Sequence, residues 1–334
     1  MKIAVDAMGG DNAPLAPVQG ALRALEEISD LEIILVGDHE RIKSLLHDKP
    51  RQTRLTIHHA PDVIGMGEAP VQAVRRKPDS SMVQAIKLVK SGDAMAVISA
   101  GNTGALMTAG LFILGRMPGI ERPALSALMP VMKGWGVLLL DVGANLDPKA
   151  SQLVQYGVMG AYYCQEVYGI AKPRVGLLNV GEEPRKGTPL ARETYERLKL
   201  TDLNFVGNIE SRELLQGRAD VVVSDGFSGN IALKLTEGLA RDLMGEFKKV
   251  LLANFKSKIA AWLLKDGLMD LKRRLDYEEY GGAPLLGLDQ IVYKVHGASR
   301  DGAFYSATKL AYNYCQKHTQ DRIRERVRKE EANQ

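Results

Sequence analysis

A stretch from Ala96 to Gly110 carries residue types that bind anions. It opens as a short strand-like apolar run, breaks at a small polar loop, and resumes as good helix formers without proline. A loop between a strand and a helix presents unpaired backbone N–H groups at the positive end of the helix dipole, where phosphate binds well. We therefore predict an anion-binding loop made by Gly101, Asn102, Thr103 and Gly104.

Loops of similar composition follow four other strand-like runs, which end at Val5, Leu140, Leu178 and Val223. Ligands of open α/β sheets bind at the carboxyl ends of the strands. Five such loops therefore favour one shared polar cleft over five unrelated turns. The candidate ligand-binding residues of these four loops are Asp6, Gly9, Gly10, Asp11, Asn12, Asp141, Asn145, Glu183, Lys186, Asp225, Ser228, Gly229 and Asn230.

A basic segment offers a second anion site. Arg75, Arg76 and Lys77 precede Ser80 and Ser81, which resemble the N-cap of a helix. Cations beside a helix N-terminus favour anion binding, whereas a solvated basic turn explains the same residues without a ligand. Both interpretations stay open on the sequence alone.

Several catalytic motifs are missing. No G-x-G-x-x-G follows a strand and no G-x-x-x-x-G-K-[ST] occurs, which removes the standard dinucleotide fingerprint and the P-loop. The run from Gly226 to Gly229 is one residue short of a nucleophile elbow. The six histidines lack metal-ligand spacing, so we expect no metal site and no cofactor. His296 is the only histidine at a glycine-rich strand end, where a scaffold role is common.

Strands and helices alternate along most of the chain, which predicts right-handed crossovers and a largely parallel sheet. The 334 residues, 45% of them apolar, provide a large core, and we expect a single catalytic domain over 1–334. A net charge of +4 does not indicate nucleic-acid binding. Two later segments have their own predictions: residues 280–287 form a loop, and one helix runs from about Gly302 to Glu331.

A helical hairpin is predicted at about residues 236–278, with an apolar tip between basic flanks. Such a tip suits a dimer interface, packing onto the body, or insertion among lipid headgroups. The sequence shows no signal peptide and no apolar run of about 20 residues, so we expect a cytoplasmic protein. The tip residues are Trp262, Leu263, Leu264 and Leu268.

Seven motifs stand in order along nearly the whole chain. They are Val5-Asp-Ala-Met-Gly-Gly-Asp-Asn-Ala-Pro14, Arg75-x-Lys77-x-x-Ser80-Ser81-Met82, Ser99-Ala-Gly-Asn-Thr-Gly-Ala105, Leu140-Asp-Val-Gly-Ala-Asn145, Gly181-Glu-Glu-x-x-Lys-Gly187, Asp225-Gly-Phe-Ser-Gly-Asn230 and Tyr280-Gly-Gly-Ala-Pro-Leu-Leu-Gly287. Together they resemble the bacterial phosphate acyltransferase family, the PlsX type. Each motif alone is weakly specific, and the ordered set is highly specific.

The resemblance implies a three-layer α/β/α sandwich like those of phosphotransacetylases and of isocitrate and isopropylmalate dehydrogenases. It implies transfer of a fatty acyl group from acyl carrier protein to inorganic phosphate, which supplies acyl phosphate for phospholipid synthesis. It also implies a homodimer held at the inner face of the cell membrane through the hairpin.

Phosphate is a competent nucleophile once it is oriented, so the site must position it and neutralise charge. Beside this resemblance, we assign phosphate binding to the loop of residues 101–104, with Asn145, Asn230 and Lys186. Lys186 or Lys234 would stabilise the oxyanion. His296 would give a proton to the departing thiolate.

Two rival functions remain open on the sequence. One is a phosphotransacetylase-like enzyme that uses coenzyme A thioesters. The other is a nucleotide-dependent dehydrogenase of the related fold, since that fold does not need the standard fingerprint. A non-catalytic binding module fits poorly with so many polar loops at strand ends.

Overall fold

The computed structural model describes residues 1–47, 53–131, 136–269 and 282–332. Within them, the strands are β1 Lys2–Asp6, β2 Glu32–Gly37, β3 Leu55–His59, β4 Ala96–Ser99, β5 Ala124–Met129, β6 Val137–Leu140, β7 Arg174–Asn179, β8 Asn204–Glu210, β9 Val221–Val223, β10 Ala283–Leu286 and β11 Ile291–Lys294. They form one sheet in the order β3-β2-β1-β4-β11-β10-β5-β6-β9-β7-β8.

The α-helices of the described residues are α1 Leu15–Glu27, α2 His39–Leu46, α3 Pro70–Arg76, α4 Ser81–Lys90, α5 Thr103–Ala109, α6 Ala150–Tyr168, α7 Pro189–Lys199, α8 Gly226–Leu252, α9 Phe255–Leu263, α10 Asp301–Gln316 and α11 Thr319–Ala332. A π-helical turn, Gly110–Leu114, continues α5, and a 3-10 helix, Ser211–Gln216, follows β8.

Helices cover both faces of the sheet. In β1 the buried side chains of Ile3 and Val5 pack in one core with Phe304 of α10, whereas Ala4 belongs to a core on the other face with Ile86 of α4. This split follows from the two-residue period of a strand, which sends neighbouring side chains to opposite faces. The predicted α/β sandwich with a mostly parallel sheet is confirmed.

The centre of the sheet differs from the sequence prediction. Seven neighbouring pairs are parallel, but β11–β10, β10–β5 and β5–β6 are antiparallel. Three reversals make β6, β9, β7 and β8 run opposite to β3, β2, β1, β4 and β11. The five polar loops therefore do not share one edge of the sheet. The segment predicted as a loop at residues 280–287 contains β10, which pairs with β11 and β5 and buries Leu285 and Leu286 in the core. Residues 280 and 281 lie outside the described residues.

Two helices begin or end differently from the sequence prediction. The first helix of the hairpin, predicted from about residue 236, begins at Gly226, because the Asp225 side chain accepts a hydrogen bond from the Ser228 N–H at 2.8 Å and caps it. The single C-terminal helix is two helices, α10 and α11. His318 separates them with a φ of 51°, a left-handed conformation that a continuous helix does not allow.

The predicted hairpin is described as far as residue 269, and its part from 270 to 278 lies outside the described residues. Its first arm, α8, is 27 residues long and begins at the cleft. At the tip, Trp262 is 74% exposed and Leu263 is 70% exposed, and Leu264 is also exposed, while Leu268 is partly buried. No helix in the described residues is long and apolar enough to cross a bilayer.

Gly229 allows α8 to pack closely against the backbone of the loop after β6. A Cβ atom on Gly229 would lie 1.9 Å from the backbone oxygen of Asp141, whereas one on Gly238 of the same helix would meet nothing within 4 Å. We expect Gly229→Ala to lower the free energy of unfolding by about 3 kcal/mol or more, because neither backbone can yield.

The matched control is Gly238→Ala, which should raise the free energy of unfolding by up to about 1 kcal/mol through helix propensity. Urea denaturation of both variants measures the difference. Equal stability of the two variants would show that the contact at Gly229 does not constrain α8.

Candidate active site

A cavity of about 520 Å³ lies where loops from the two halves of the sheet meet over its centre. One wall comes from the loops after β1 and β4, the other from the loop after β6 and the start of α8, and the end of β11 closes it. Its polar residues are Asp11, Thr103, Ser126, Asn230, Lys234, Glu237, Lys294 and His296. The cavity thus draws on four of the five predicted polar loops, those after Val5, Ile98, Leu140 and Val223, although their strands end at opposite edges.

Lys294 is the buried cation of this cavity. Its side chain is 7% exposed, and Nζ donates a hydrogen bond to the Val295 carbonyl at 2.6 Å. Burial lowers the pKa of Lys294 to about 8, because desolvation penalises the ammonium more than Asp6 and Asp11 stabilise it. The cavity therefore contains an ammonium group that is more acidic than that of an ordinary lysine.

The α8 side of the cavity is charged. Lys234 is exposed and Glu237 is partly buried, one helical turn apart. Burial raises the pKa of Glu237 above its usual value, while His296, Arg241 and Lys234 act in the opposite direction. His296 is exposed, and its Nδ1 accepts a hydrogen bond from the Ala298 N–H at 3.2 Å.

The cavity combines N–H donors with an apolar wall, which suits an anion joined to an apolar chain. Thr103 and Gly104 stand in the first turn of α5, so the helix provides no acceptor for their N–H groups. Asn230 lines the same space, and its Nδ2 donates to the Val142 carbonyl at 2.8 Å. Apolar side chains form much of the remaining wall: Met66, Met107, Leu125, Leu128, Val142 and Leu233.

Asp6 is a buried scaffold residue and does not line the cavity. It accepts hydrogen bonds from the Ser99 hydroxyl at 2.6 Å and from the Met8 N–H at 3.2 Å. Burial raises its pKa above the usual value. A Cβ atom on Gly9 would lie 2.5 Å from the Asp6 carboxylate, so glycine is required for this close approach.

The predicted phosphate loop is only partly free to bind a ligand. The Gly101 N–H donates to the Ser99 hydroxyl at 3.1 Å. Asn102 caps α5 by accepting from the Ala105 N–H at 3.0 Å, and its Nδ2 donates to the carbonyls of Met66 and Glu68. The Asn102 side chain therefore fixes the neighbouring loop, which leaves Thr103 and Gly104 as the part that faces the cavity.

Asp141 and Asn145 also serve the scaffold. The buried Asp141 carboxylate accepts hydrogen bonds from the backbone N–H groups of Leu125, Ala144 and Asn145. Burial raises its pKa despite these donors. The Asn145 Nδ2 donates to the Pro123 carbonyl at 2.7 Å. The same Nδ2 donates to the Asp141 carboxylate at 3.2 Å, so both of its N–H groups have partners here and phosphate binding by the Asn145 side chain stays a prediction.

At the second predicted anion site, Lys77 is paired within the protein, while Arg75 and Arg76 are exposed. Lys77 Nζ pairs with the Glu68 carboxylate at 2.6 Å and donates to the Val63 carbonyl at 2.8 Å. Ser80 and Ser81 are fully buried, and Ser81 helps to hold the Asp6 carboxylate. Neither serine lines the cavity.

The remaining predicted residues fall into three groups. Gly10 has a φ of 96°, and Asn12 Nδ2 donates to the carbonyls of Ala298 and Ser299, so both position the loop that carries Asp11. Glu183 and Lys186 lie exposed on the loop after β7 and are not among the cavity-lining residues. Asp225, Ser228 and Gly229 build the first turn of α8.

Three polar lining residues were missed by sequence reasoning: Ser126, Glu237 and Lys294. Ser126 lies on β5, which was not predicted. Lys294 carried a usable signal, because a lysine inside the apolar run Ile291–Val295 is costly to bury unless it has a role. In the part of the chain that the structure describes, no group of His, Cys, Asp or Glu side chains is arranged to hold a metal ion.

The architecture is that of the phosphotransacetylase fold. A phosphotransacetylase from Streptococcus pyogenes superposes with a TM-score of 0.64 at 20% identity, covering 95% of this chain and 94% of that one. The EutD phosphotransacetylase from Staphylococcus aureus gives a TM-score of 0.60 at 15% identity, covering 94% and 93%. At these identities the similarity establishes the fold alone.

The family follows from closer relatives. Residues 1–322 match the family described as fatty acid synthesis protein. A phosphate acyltransferase from Bacillus pumilus is 52% identical over 334 residues, which is the whole of both chains. One from Bacillus cereus is 55% identical over 309 residues, covering 92% of this chain and 93% of that one. The chain belongs to the phosphate acyltransferase family, as its motifs predict.

The buried lysine should make stability depend on pH. Its folded pKa of about 8 lies below the unfolded value of 10.5, so between these two pH values the unfolded chain binds more protons and stability rises with pH. Lys294→Met should therefore raise the free energy of unfolding by about 3 kcal/mol at pH 7, where the full cost of burying the ammonium applies. The gain should shrink several-fold by pH 10.

Urea denaturation of the parent protein and Lys294→Met at pH 7 and pH 10 measures this difference. A gain or loss of equal size at both pH values would contradict the assigned burial cost of the ammonium.

Proposed function

We propose that the chain transfers a fatty acyl group from acyl carrier protein to inorganic phosphate, giving acyl phosphate for phospholipid synthesis. A phosphate oxygen attacks the thioester carbonyl carbon, and the carbon–sulfur bond breaks. The observation that carries this proposal is the cavity, which joins helix N-terminal amides and cations to an apolar wall in a chain of this family.

Phosphate binding is proposed at the start of α5. The N–H groups of Thr103 and Gly104 supply oriented donors at the positive end of a helix dipole. Asn230 and Lys234 face them from α8, on the other wall. This arrangement orients phosphate for attack, which is the main requirement because phosphate needs no activation by a protein nucleophile.

The oxyanion that forms at the thioester carbonyl needs a donor. Lys234 lines the cavity and is exposed to it, which supports Lys234 over Lys186 for this role. Lys186 remains the alternative, since its loop lies after a neighbouring strand of the same half of the sheet. The apolar wall made by Met107, Leu125 and Leu233 suits the acyl chain or the thioester arm.

The test is phosphate-dependent release of thiol, measured in parallel with acyl carrier protein thioester and acyl coenzyme A. We expect release that saturates with phosphate and prefers the carrier protein. Preference for coenzyme A would favour a phosphotransacetylase-like enzyme. Reduction of a nicotinamide cofactor, followed by absorbance, would favour a dehydrogenase, and no thiol release from either donor would overturn the proposal.

Alanine variants assign the oxyanion donor. Lys234→Ala should lower kcat about 10²–10³-fold, equivalent to about 3–4 kcal/mol of barrier. Lys186→Ala should do so only if Lys186 is the donor, and normal turnover with normal phosphate affinity would remove Lys186 from the site. Lys90→Ala, at an exposed lysine of α4, is the matched control and should leave kcat unchanged.

We also propose that the chain is a homodimer that attaches to the membrane surface through its hairpin. Leu235, Leu239 and Leu243 lie exposed at four-residue spacing along α8, which supports an interface with a second copy. Trp262 and Leu263 lie exposed at the tip between lysines, which supports insertion among anionic headgroups.

Replacing both tip residues, Trp262→Glu and Leu263→Glu, should abolish flotation of the protein with anionic liposomes, because buried apolar area drives insertion. Leu200→Glu, at a residue that is 87% exposed outside the hairpin, is the matched control and should float normally. Unchanged flotation of the double variant would contradict membrane contact at the tip. A shift to monomer by light scattering would instead assign the tip to the dimer interface.

A further inference from the structure

The cavity has a buried proton donor that neither phosphate binding nor oxyanion stabilisation requires. An ammonium group carries three N–H donors. In the described residues Lys294 Nζ uses one of them, on the Val295 carbonyl, and forms no ion pair. Two donors remain for a group that enters the cavity, which Lys294 lines with its side chain 7% exposed.

Charged groups surround Lys294 on both walls. Asp6 at the end of β1 and Asp11 in the following loop favour its protonated form. Lys234 and Glu237 lie across the cavity on α8, and His296 follows two residues later on its own segment. Lys294 differs from Lys234 and His296 in burial, since both of those side chains are exposed to solvent. A buried donor delivers its proton to a reacting group without competition from bulk water.

We propose that Lys294 donates a proton to the thioester sulfur as it leaves. The inference rests on the acyl transfer proposed above and deepens it by naming the general acid. It gives the two lysines of the cavity different tasks: Lys234 stabilises charge on the carbonyl oxygen, and Lys294 neutralises charge on the sulfur.

The step balances within one turnover. A phosphate dianion forms the new carbon–oxygen bond, the carbon–sulfur bond breaks, and its electron pair stays on sulfur. The Lys294 ammonium gives that sulfur a proton, which leaves a free thiol and a neutral amine. The acyl phosphate is formed as its monoanion and releases its remaining acidic proton, which restores the ammonium.

The acidity of Lys294 fits this task. Its pKa of about 8 lies below the value of about 8.5 of a cysteine thiol, so proton transfer to an alkyl thiolate is favourable, whereas an ordinary lysine at about 10.4 is a much weaker acid. General acids work best when their pKa lies near the operating pH, because they are then both protonated and able to give up the proton.

The experiment compares two leaving groups in the full-length protein. The acyl chain is kept constant on an alkyl thiol donor (acyl pantetheine) and on an aryl thiol donor of much lower thiol pKa. With the alkyl donor, Lys294→Met and Lys294→Arg should each lose about 10²–10⁴ in kcat, since neither side chain can donate a proton at neutral pH. With the aryl donor the loss should fall to less than 10-fold. The phosphate KM should change little in Lys294→Arg.

The two substitutions separate the possible roles. Activity retained in Lys294→Arg would overturn the proposal, because it would assign Lys294 to charge alone. An equal loss with both leaving groups would also overturn it and would point to phosphate binding or structure. Lys90→Met serves as the control for removing a lysine.

In the parent protein, kcat with the alkyl donor should fall above about pH 8 as the ammonium deprotonates, and kcat with the aryl donor should not. This measurement needs no folded variant. If the parent protein releases no thiol at all, the acyl transfer itself fails. If it releases thiol with equal pH profiles for both donors, only the role of Lys294 fails.

Discussion

Two buried carboxylates hold the walls of the cavity in place. Asp6 ends β1 and Asp141 follows β6, and each collects hydrogen bonds from the residues that turn the chain into the next loop. Desolvation raises the pKa of both, so the donors around them are needed to keep the charged form in the interior. β1 and β6 belong to halves of the sheet that run in opposite directions. Each half therefore needs its own buried carboxylate to fix the loop that it contributes to the cleft.

The same loops explain why conspicuous polar residues are not all ligands. Asn102 and Asn145 have the chemistry to bind phosphate, yet their amides are consumed by loop carbonyls. The groups left facing the cavity are fewer: first-turn amides of α5, Asn230 and the cations. Stabilising charge in a transition state requires donors that are already held in place. Here scaffold residues whose hydrogen bonds are made within the protein hold the few donors that face the cavity.

Much of the fold and the family could be predicted from the sequence, because strand and helix periods and the ordered glycine-rich motifs are local signals. The loops that line the cavity after Val5, Ile98, Leu140 and Val223 were among those predicted. The reversal of the sheet was not predictable in this way, since β10 is a four-residue strand within a glycine-rich motif.

Lys294 and Glu237 were missed for a different reason. Glu237 stands in a helix, where a single charged residue has no local signature, and the signal of Lys294 lay only in its apolar neighbours. The packing of α8 and β11 brings both residues to the cavity. At Asn145 the residue type suggested a phosphate ligand, and the sequence could not show the tertiary hydrogen bond that its amide donates to the Pro123 carbonyl.

The antiparallel centre of the sheet also sets the distance between the two sides of the cavity. From β4, which carries the α5 loop, to β6, which carries the loop under α8, the sheet has four strand intervals. At about 4.8 Å each, these set a span of about 19 Å between the two strands. Strand spacing is fixed by backbone hydrogen bonds, so insertions in the surface loops leave this distance unchanged. The number of strands between β4 and β6 therefore determines the width available to a ligand.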